Sequence, residues 1–252
     1  MELKGKKALV TGGGVGIGRA TALALAAAGC HVAVNYSRSR EDCEATAAEI
    51  EGLGVKSLAV KADVGKDEQV RAMVAETVKA LGGLDVLVNN AGVTCFVAHE
   101  DLEGVSDEDW ERIFDTNVRG TFYCTRAAAD ALKAGEGGAV VNLSSVAGVY
   151  GMGSSIPYCA SKAAINSLTV TTSRVMAPEV RVNAVAPGFV DTRWWKDREH
   201  YDVIKQMAAE ATPLKRVAGP DDVAQTIMGL LRADMVTGDI VVMDGGMGQS
   251  HG

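Results

Sequence analysis

The segment YCASK places Tyr158 and Lys162 four residues apart, with only small residues between them. In a helix this spacing puts both side chains on one face, about one turn apart. A phenol can transfer a proton in catalysis, and a nearby ammonium stabilises its anion. At about 5 Å and an effective dielectric near 20, that attraction is about 3 kcal/mol, or roughly two pKa units. The pair predicts an acid/base group with an electrostatic partner, although an ordinary solvated helix face has the same spacing.

A glycine-rich turn, TGGGVGIG at residues 11–18, lies between a short apolar run and a helical pattern. Glycines there allow a sharp turn and close approach of a ligand, and a helix N-terminus offers N–H groups and a positive dipole end to a phosphate. The spacing of Gly12, Gly16 and Gly18 differs from the general GxGxxG dinucleotide pattern. The turn predicts a phosphate-binding loop, with a tight structural turn as the alternative.

The second apolar run is followed by a basic sequence, in HVAVNYSRSRED. A site for NAD usually has an acidic residue near this strand end, where this chain has Tyr36. The next charges are Arg38 and Arg40, and a guanidinium binds a 2′-phosphate with paired hydrogen bonds. NADP(H) is therefore the predicted cofactor, and NAD(H) stays possible. The alternative is that both arginines solvate the next helix, with Glu41 and Asp42 as their partners.

These candidates are set among short β-branched runs that alternate with longer helical patterns. The predicted strands are 7–11, 31–36, 57–63, 84–90, 139–145, 180–187 and 239–246, and helical patterns include 18–29, 68–83 and 160–176. Continuous apolar strands separated by helices predict an α/β fold, a single-domain Rossmann-like doubly wound sheet of about seven parallel strands with helices on both faces. No linker or repeat interrupts residues 1–252, and a substrate lid is predicted within 188–215.

Six ordered motifs resemble those of the classical short-chain dehydrogenases/reductases, over essentially the whole chain. They are TGGGVGIG, KADV, NNAG, the asparagine of TNV, the serine of NLSSVAG taken together with YCASK, and APGFVDT. The resemblance implies a catalytic tetrad of Asn117, Ser145, Tyr158 and Lys162. Ser144 is adjacent, but the serine of the family lies thirteen residues before the tyrosine, which selects Ser145. Together with the arginine above, the implied cofactor contacts are Gly12, Gly16, Ile17, Gly18, Arg38, Asp63, Val64, Asn90, Ala91, Gly92, Tyr158, Lys162, Pro187, Gly188, Val190 and Thr192.

The resemblance also implies roles for these residues. Ser145 would bind a carbonyl oxygen that Tyr158 protonates, Lys162 would also bind the nicotinamide ribose, and Asn117 would hold a water that relays protons. The expected activity is hydride transfer between NADP(H) and a ketone or secondary alcohol, as in 3-oxoacyl-acyl-carrier-protein reductases or glucose dehydrogenases. An NAD-dependent alcohol, sugar or polyol dehydrogenase is the alternative, and a catalytically silent cofactor-binding protein is less favoured.

Composition limits the other partners. The formal net charge is -7, so no general basic surface attracts nucleic acid, and no apolar segment reaches the roughly 18 residues that span a membrane. Five scattered cysteines without CxxC and four dispersed histidines predict a cytoplasmic protein without a metal site. By resemblance we expect a homotetramer built through helices at 107–133 and 158–177. Phe96, Trp194 and Trp195 would line an apolar substrate pocket, or the tryptophans would lie at a subunit interface.

Overall fold

The computed structural model describes residues 1–196 and 200–249 of the 252-residue chain. Its strands are β1 (Lys7–Val10), β2 (His31–Tyr36), β3 (Ser57–Lys61), β4 (Val86–Asn89), β5 (Gly138–Leu143), β6 (Val180–Pro187) and β7 (Ile240–Met243). They form one sheet in the order β3-β2-β1-β4-β5-β6-β7, and every neighbouring pair is parallel. The predicted Rossmann-like sheet of seven parallel strands is confirmed.

The helices lie between the strands, as parallel connections require. They are α1 (Gly16–Ala27), α2 (Arg40–Gly52), α3 (Asp67–Leu81), α4 (Asp107–Ile113), α5 (Gly120–Lys133), α6 (Ala147–Tyr150), α7 (Ile156–Met176), α8 (Arg193–Lys196), α9 (Tyr201–Ala211) and α10 (Pro220–Arg232). A π-helical turn, Phe114–Arg119, joins α4 to α5, and a 3-10 turn spans Met247–Gln249. None of the described helices is long and apolar enough to cross a membrane.

Both faces of the sheet are covered by apolar packing, since successive strand residues point to opposite sides. Ala8 and Val10 of β1 belong to one core cluster, which Leu25 of α1 and Ile227 of α10 complete. Leu9 belongs to the other cluster, with Met73 of α3 and Leu132 of α5. This double covering explains why the strands are continuously apolar rather than alternating.

Several predicted boundaries were wrong at the carboxyl ends of the strands. The runs predicted to end at residues 11, 63, 90, 145 and 246 leave the sheet at 10, 61, 89, 143 and 243. The polar and glycine residues that follow turn out of the ladder to form the crevice above it. Helix α7 begins at Ile156, two residues before the expected start at 158, because Ser155 caps it by accepting a hydrogen bond from the Tyr158 N–H.

The segment predicted to contain a lid connects β6 to α10. It carries α8 and α9, and Val190 pairs with Ala218 in an isolated parallel bridge. Residues 197–199 of the predicted lid lie outside the described residues.

Candidate active site

The ends of β1 and β4 are tied together at the point where strand order reverses, the usual ligand crevice of such sheets. The Thr11 hydroxyl accepts hydrogen bonds from the backbone N–H groups of Asn90 and Ala91, both at 3.0 Å. The Asn90 amide donates back to the carbonyls of Thr11 and Gly12, at 2.8 and 3.1 Å. The NNAG motif thereby fixes the glycine-rich turn from its far side.

The glycines of the turn are required by space and by backbone conformation. A methyl group added at Gly18 would lie 2.2 Å from the Gly12 carbonyl oxygen, and Gly12 and Gly16 have φ of +62° and +52°. Val15, which precedes α1, gives the helix no side-chain cap. The first N–H groups of α1 are therefore left for a ligand, and this cradle fits the phosphates of a dinucleotide. Ile17 lies half-buried in the same helical turn.

The predicted acidic contact lies just beyond β3. Asp63 is half-buried, and its Oδ1 accepts a hydrogen bond from the Gly65 N–H at 2.9 Å. Val64, beside it, is buried, and its side chain leaves no room for a Cβ at Gly120. Asp63 therefore orders the loop beyond β3, where the resemblance implies a contact with the cofactor.

The APGFVDT motif closes the opposite wall of the crevice. The Pro187 carbonyl accepts hydrogen bonds from the Val146 N–H at 3.0 Å and the Ser145 hydroxyl at 3.5 Å. A Cβ at Gly188 would lie 3.1 Å from Asp244, so this position is also crowded. Thr192 lies beside the glycine-rich turn, where a methyl added to Gly16 would be 3.6 Å from its Cγ2. The end of β6 therefore faces the end of β1 across the crevice.

Tyr158 and Lys162 lie in the first two turns of α7, beside the end of β5. The Lys162 Nζ is 5.6 Å from the centre of the Tyr158 ring and donates a hydrogen bond to the Leu143 carbonyl at 2.6 Å. Ser145 lies close enough to the Tyr158 side chain to act on its pKa. Gly92 faces this group, since a Cβ there would lie 3.9 Å from the Lys162 Nζ. Three of the four predicted tetrad residues therefore meet at one point of the crevice.

The two adjacent serines have different surroundings. Ser144 is buried, and its hydroxyl donates to Asn166 Oδ1 at 2.5 Å and to the Lys162 carbonyl at 3.3 Å. Ser145 is only half-buried, and its hydroxyl accepts from the Ala147 N–H at 3.1 Å while facing Tyr158. This geometry favours Ser145 as the serine that meets a substrate.

Asn117 is fully buried in the π-helical turn. Its amide oxygen accepts the Val93 N–H at 2.8 Å, and its amide nitrogen donates to the Val93 carbonyl and the Ser161 hydroxyl, both at 3.0 Å. The side chain thus fixes the segment after NNAG against α7. Its predicted role in holding a water stays a prediction.

The expected net lowering of the Tyr158 pKa is wrong for the protein without a cofactor. Burial raises the pKa of Tyr158 to about 12, and the neighbouring Ser145 hydroxyl opposes this only in part. Burial also lowers the pKa of Lys162 to about 8. Desolvation penalises the charged form of each group and is the largest cause of both shifts.

Aromatic rings of α8 cover the tyrosine. The Trp194 ring meets the Tyr158 ring edge to face, with centroids 6.3 Å apart. Trp195 stacks on Phe189 at 4.7 Å and contacts Phe96 edge to face at 5.3 Å. Within one chain, both tryptophans therefore lie on the open side of the crevice. Phe189 was not predicted, because nothing in the spacing of APGFVDT marks it.

The predicted cofactor arginine lies at the end of β2. Arg38 is exposed, and its side chain makes no hydrogen bond or ion pair with any described residue. Arg40 pairs with Glu44 at 2.7 Å rather than with Glu41 or Asp42. Asp42 instead binds Arg193, a residue that sequence reasoning missed. No group of three or more possible metal ligands occurs within residues 1–196 and 200–249.

Comparisons with known proteins agree on one family. The sequence profile of the family described as short chain dehydrogenase matches residues 6–202. A Streptomyces violaceoruber protein assigned as ketoacyl reductase 2 of granaticin polyketide synthase is 43% identical over 239 residues, covering 95% of this chain and 94% of that protein. The 3-oxoacyl-acyl-carrier-protein reductase FabG of Staphylococcus epidermidis is 39% identical over 245 residues, with 96% and 98% coverage.

A solved structure of the same family is also similar to this chain. A short chain dehydrogenase from Burkholderia cenocepacia in complex with NADP superposes with a TM-score of 0.89 at 35% identity, over 98% of this chain and 100% of that one.

Proposed function

The chain belongs to the short-chain dehydrogenase family, and on that premise we propose that it transfers a hydride between NADP(H) and a ketone or secondary alcohol, with Tyr158 as acid/base. It is an oxidoreductase acting on keto or hydroxyl groups. The observation that carries the finer proposal is the meeting of Tyr158, Ser145 and Lys162 beside the glycine cradle.

Protein groups supply the proton chemistry. When bound, the nicotinamide supplies or accepts the hydride. In the reductive direction, negative charge grows on the carbonyl oxygen of the substrate, and the Ser145 hydroxyl hydrogen-bonds that oxygen. Tyr158, neutral because burial raises its pKa to about 12, donates its proton to the same oxygen. The Lys162 ammonium stabilises the phenolate that remains, which is the same interaction that lets Tyr158 act as a base in oxidation.

The proposed cofactor is NADP(H). Support comes from Arg38, from the lack of a carboxylate at Tyr36, and from the similarity to a structure that contains NADP. Gly12, Gly16, Ile17 and Gly18 would hold the phosphates, and Asp63, Val64, Asn90, Ala91 and Gly92 would line the adenosine and ribose. Pro187, Gly188, Val190 and Thr192 would face the nicotinamide, where Lys162 would bind its ribose and Asn117 would hold the relay water.

The proposed substrate is a 3-oxoacyl thioester or a related ketone. Two relatives with reductase names of this kind support it, and so does the apolar crevice under Trp194 and Phe96. We further propose one domain over residues 1–252 with a substrate lid within 188–215. We also propose a cytoplasmic location, with which the five free cysteines agree.

A substrate panel followed at the nicotinamide absorbance band, with NADPH and with NADH, tests this function. Tyr158→Phe should lower kcat by at least about a thousandfold, because the proton donor is lost while the ring stays. Its affinity for NADPH, measured by fluorescence titration, should change by less than about threefold. An active Phe variant would refute the acid/base role, and equal use of both cofactors would refute the NADP(H) preference.

A further inference from the structure

Helix α8 brings a guanidinium to the end of β2 from a distant part of the sequence. Arg193 donates from Nη1 to Asp42 Oδ2 and from Nη2 to Ser39 Oγ, each at 2.9 Å. Asp42 is 151 residues earlier in the chain. The contact therefore joins the segment after β6 to the start of α2.

The start of α2 has unused hydrogen-bonding capacity. Ser39 occupies the N-cap position, yet its side chain makes no capping hydrogen bond and accepts from Arg193 instead. The Arg40 N–H donates to the Arg38 carbonyl at 3.0 Å, and no side chain caps the next N–H groups of this 13-residue helix. A guanidinium, a hydroxyl and a positive helix end thus meet beside Tyr36 and Arg38, a combination suited to a phosphate dianion.

The two residues Thr192 and Arg193 cross the crevice. Thr192 lies beside Gly16 of the phosphate cradle, and the next residue reaches Asp42 and Ser39. In this type of fold the pyrophosphate lies at the first position and the adenine ribose at the second. Arg193 therefore lies beside the expected position of the ribose 2′ group, which is a phosphate in NADP(H) and a hydroxyl in NAD(H).

We propose that Arg193 binds the 2′-phosphate of NADP(H), together with Arg38, and exchanges Asp42 for the phosphate when the cofactor enters. This inference rests on the proposed NADP(H) preference. A guanidinium can give a phosphate the same paired hydrogen bonds that it gives Asp42 and Ser39. The ion pair with Asp42 is weak enough to exchange, because the two side chains are 50% and 48% exposed.

Asp42 has the opposite effect under this arrangement. Its carboxylate competes for Arg193 and repels a phosphate placed beside it. Neutralising Asp42 should therefore strengthen binding of the 2′-phosphate. If the Arg193–Asp42 ion pair served only to hold α8 in place, the same change would loosen α8 and would not strengthen that binding.

Binding of 2′,5′-ADP and 5′-AMP, measured by isothermal titration calorimetry, isolates the 2′-phosphate without any reaction. Arg193→Gln should weaken 2′,5′-ADP about tenfold and 5′-AMP less than about twofold. Asp42→Asn should strengthen 2′,5′-ADP about threefold and leave 5′-AMP unchanged. Arg71→Gln is the matched control, because Arg71 is another exposed arginine paired to an aspartate, on α3, and it should change neither ligand.

The outcomes separate this proposal from the function on which it rests. If the wild type binds both fragments equally, the NADP(H) preference fails, and Arg193 with it. If the wild type prefers 2′,5′-ADP and Arg193→Gln keeps that preference while Arg38→Ala loses it, only the role of Arg193 is overturned. Equal weakening of both fragments by Arg193→Gln would also overturn it, since the arginine would then only position α8.

Discussion

Burial lowers the pKa of Lys162 before any ligand binds. The side chain is 4% exposed and its ammonium is hydrogen-bonded to the Leu143 carbonyl. That single acceptor does not replace the lost water, so the pKa falls to about 8. An anion beside it, such as the phenolate of Tyr158, would raise this pKa again and favour the ammonium, which is the form that the proposed mechanism needs.

The depressed pKa of Lys162 makes stability depend on pH. Below about pH 8 the lysine is charged in both the folded and unfolded states, and its buried charge lowers the free energy of unfolding by about 3 kcal/mol. Above pH 8 the folded state loses the proton first, so this penalty disappears as the pH rises toward the unfolded pKa. Between pH 7.5 and 9.5 the wild type should gain about 2 kcal/mol relative to Lys162→Met.

Chemical denaturation of the cofactor-free proteins at these two pH values measures that gain. Lys79→Met, which replaces an exposed lysine on α3, serves as the control. Its free energy of unfolding should change between the two pH values as much as that of the wild type. If the free energies of unfolding of the wild type and Lys162→Met change equally between the two pH values, the pKa of Lys162 is not depressed.

Secondary-structure elements were predictable where local pattern decides them. The boundaries of β2 and β6 agree with their apolar runs, and the order of strands and helices follows from right-handed parallel connections. The closeness of Ser145, Tyr158 and Lys162 could be predicted from the ordered motifs, because each motif belongs to one strand end or helix start. What the motifs describe is local, and the sheet brings those ends together.

Contacts between distant elements could not be read from the sequence. Arg193 reaches α2 only because α8 folds over the crevice, and its sequence neighbours carry no sign of Asp42. The π-helical turn that buries Asn117 has no period of its own in the sequence. The pKa of Tyr158 also escaped prediction, since charge spacing was visible but the depth of burial was not.

Helix α8 supplies a prediction at the scale of an element. Trp194 is 43% exposed, and its ring meets the Tyr158 ring edge to face. Trp194→Ala should raise KM for an aryl ketone about tenfold, through the loss of ring contact, with kcat changed less than about threefold. KM for a small aliphatic ketone should change much less, and steady-state kinetics on both substrates measures the difference.

Trp110→Ala gives the matched comparison for Trp194. Trp110 is also partly exposed, but it lies on α4 and packs against Phe114. The Trp110→Ala substitution should leave the KM values for both ketones unchanged. If the two variants behave alike, or if Trp194→Ala affects both ketones equally, the tryptophan does not select substrates.

The whole molecule leaves apolar side chains exposed on the helices predicted to build a tetramer. They are Trp110 on α4, Phe122 on α5 and Val175 on α7. Helices α4 and α5 both pack against α7, so these side chains belong to one layer of the fold. Exposed large apolar groups on one layer are typical of an interface between subunits.

Val175→Asp should therefore shift the protein from tetramers to smaller species, because a carboxylate buried in an apolar contact without a partner costs several kcal/mol. Val175 is 69% exposed in the single chain, so the fold itself has no need of it. The control is Met235→Asp, at a side chain that is 97% exposed in the loop after α10 and outside the predicted interface helices. Size-exclusion chromatography with light scattering gives the mass of each. A monomeric wild type, or a tetrameric Val175→Asp variant, would contradict assembly through α7. Met235→Asp adds the same charge outside these helices, so it should keep the mass of the wild type.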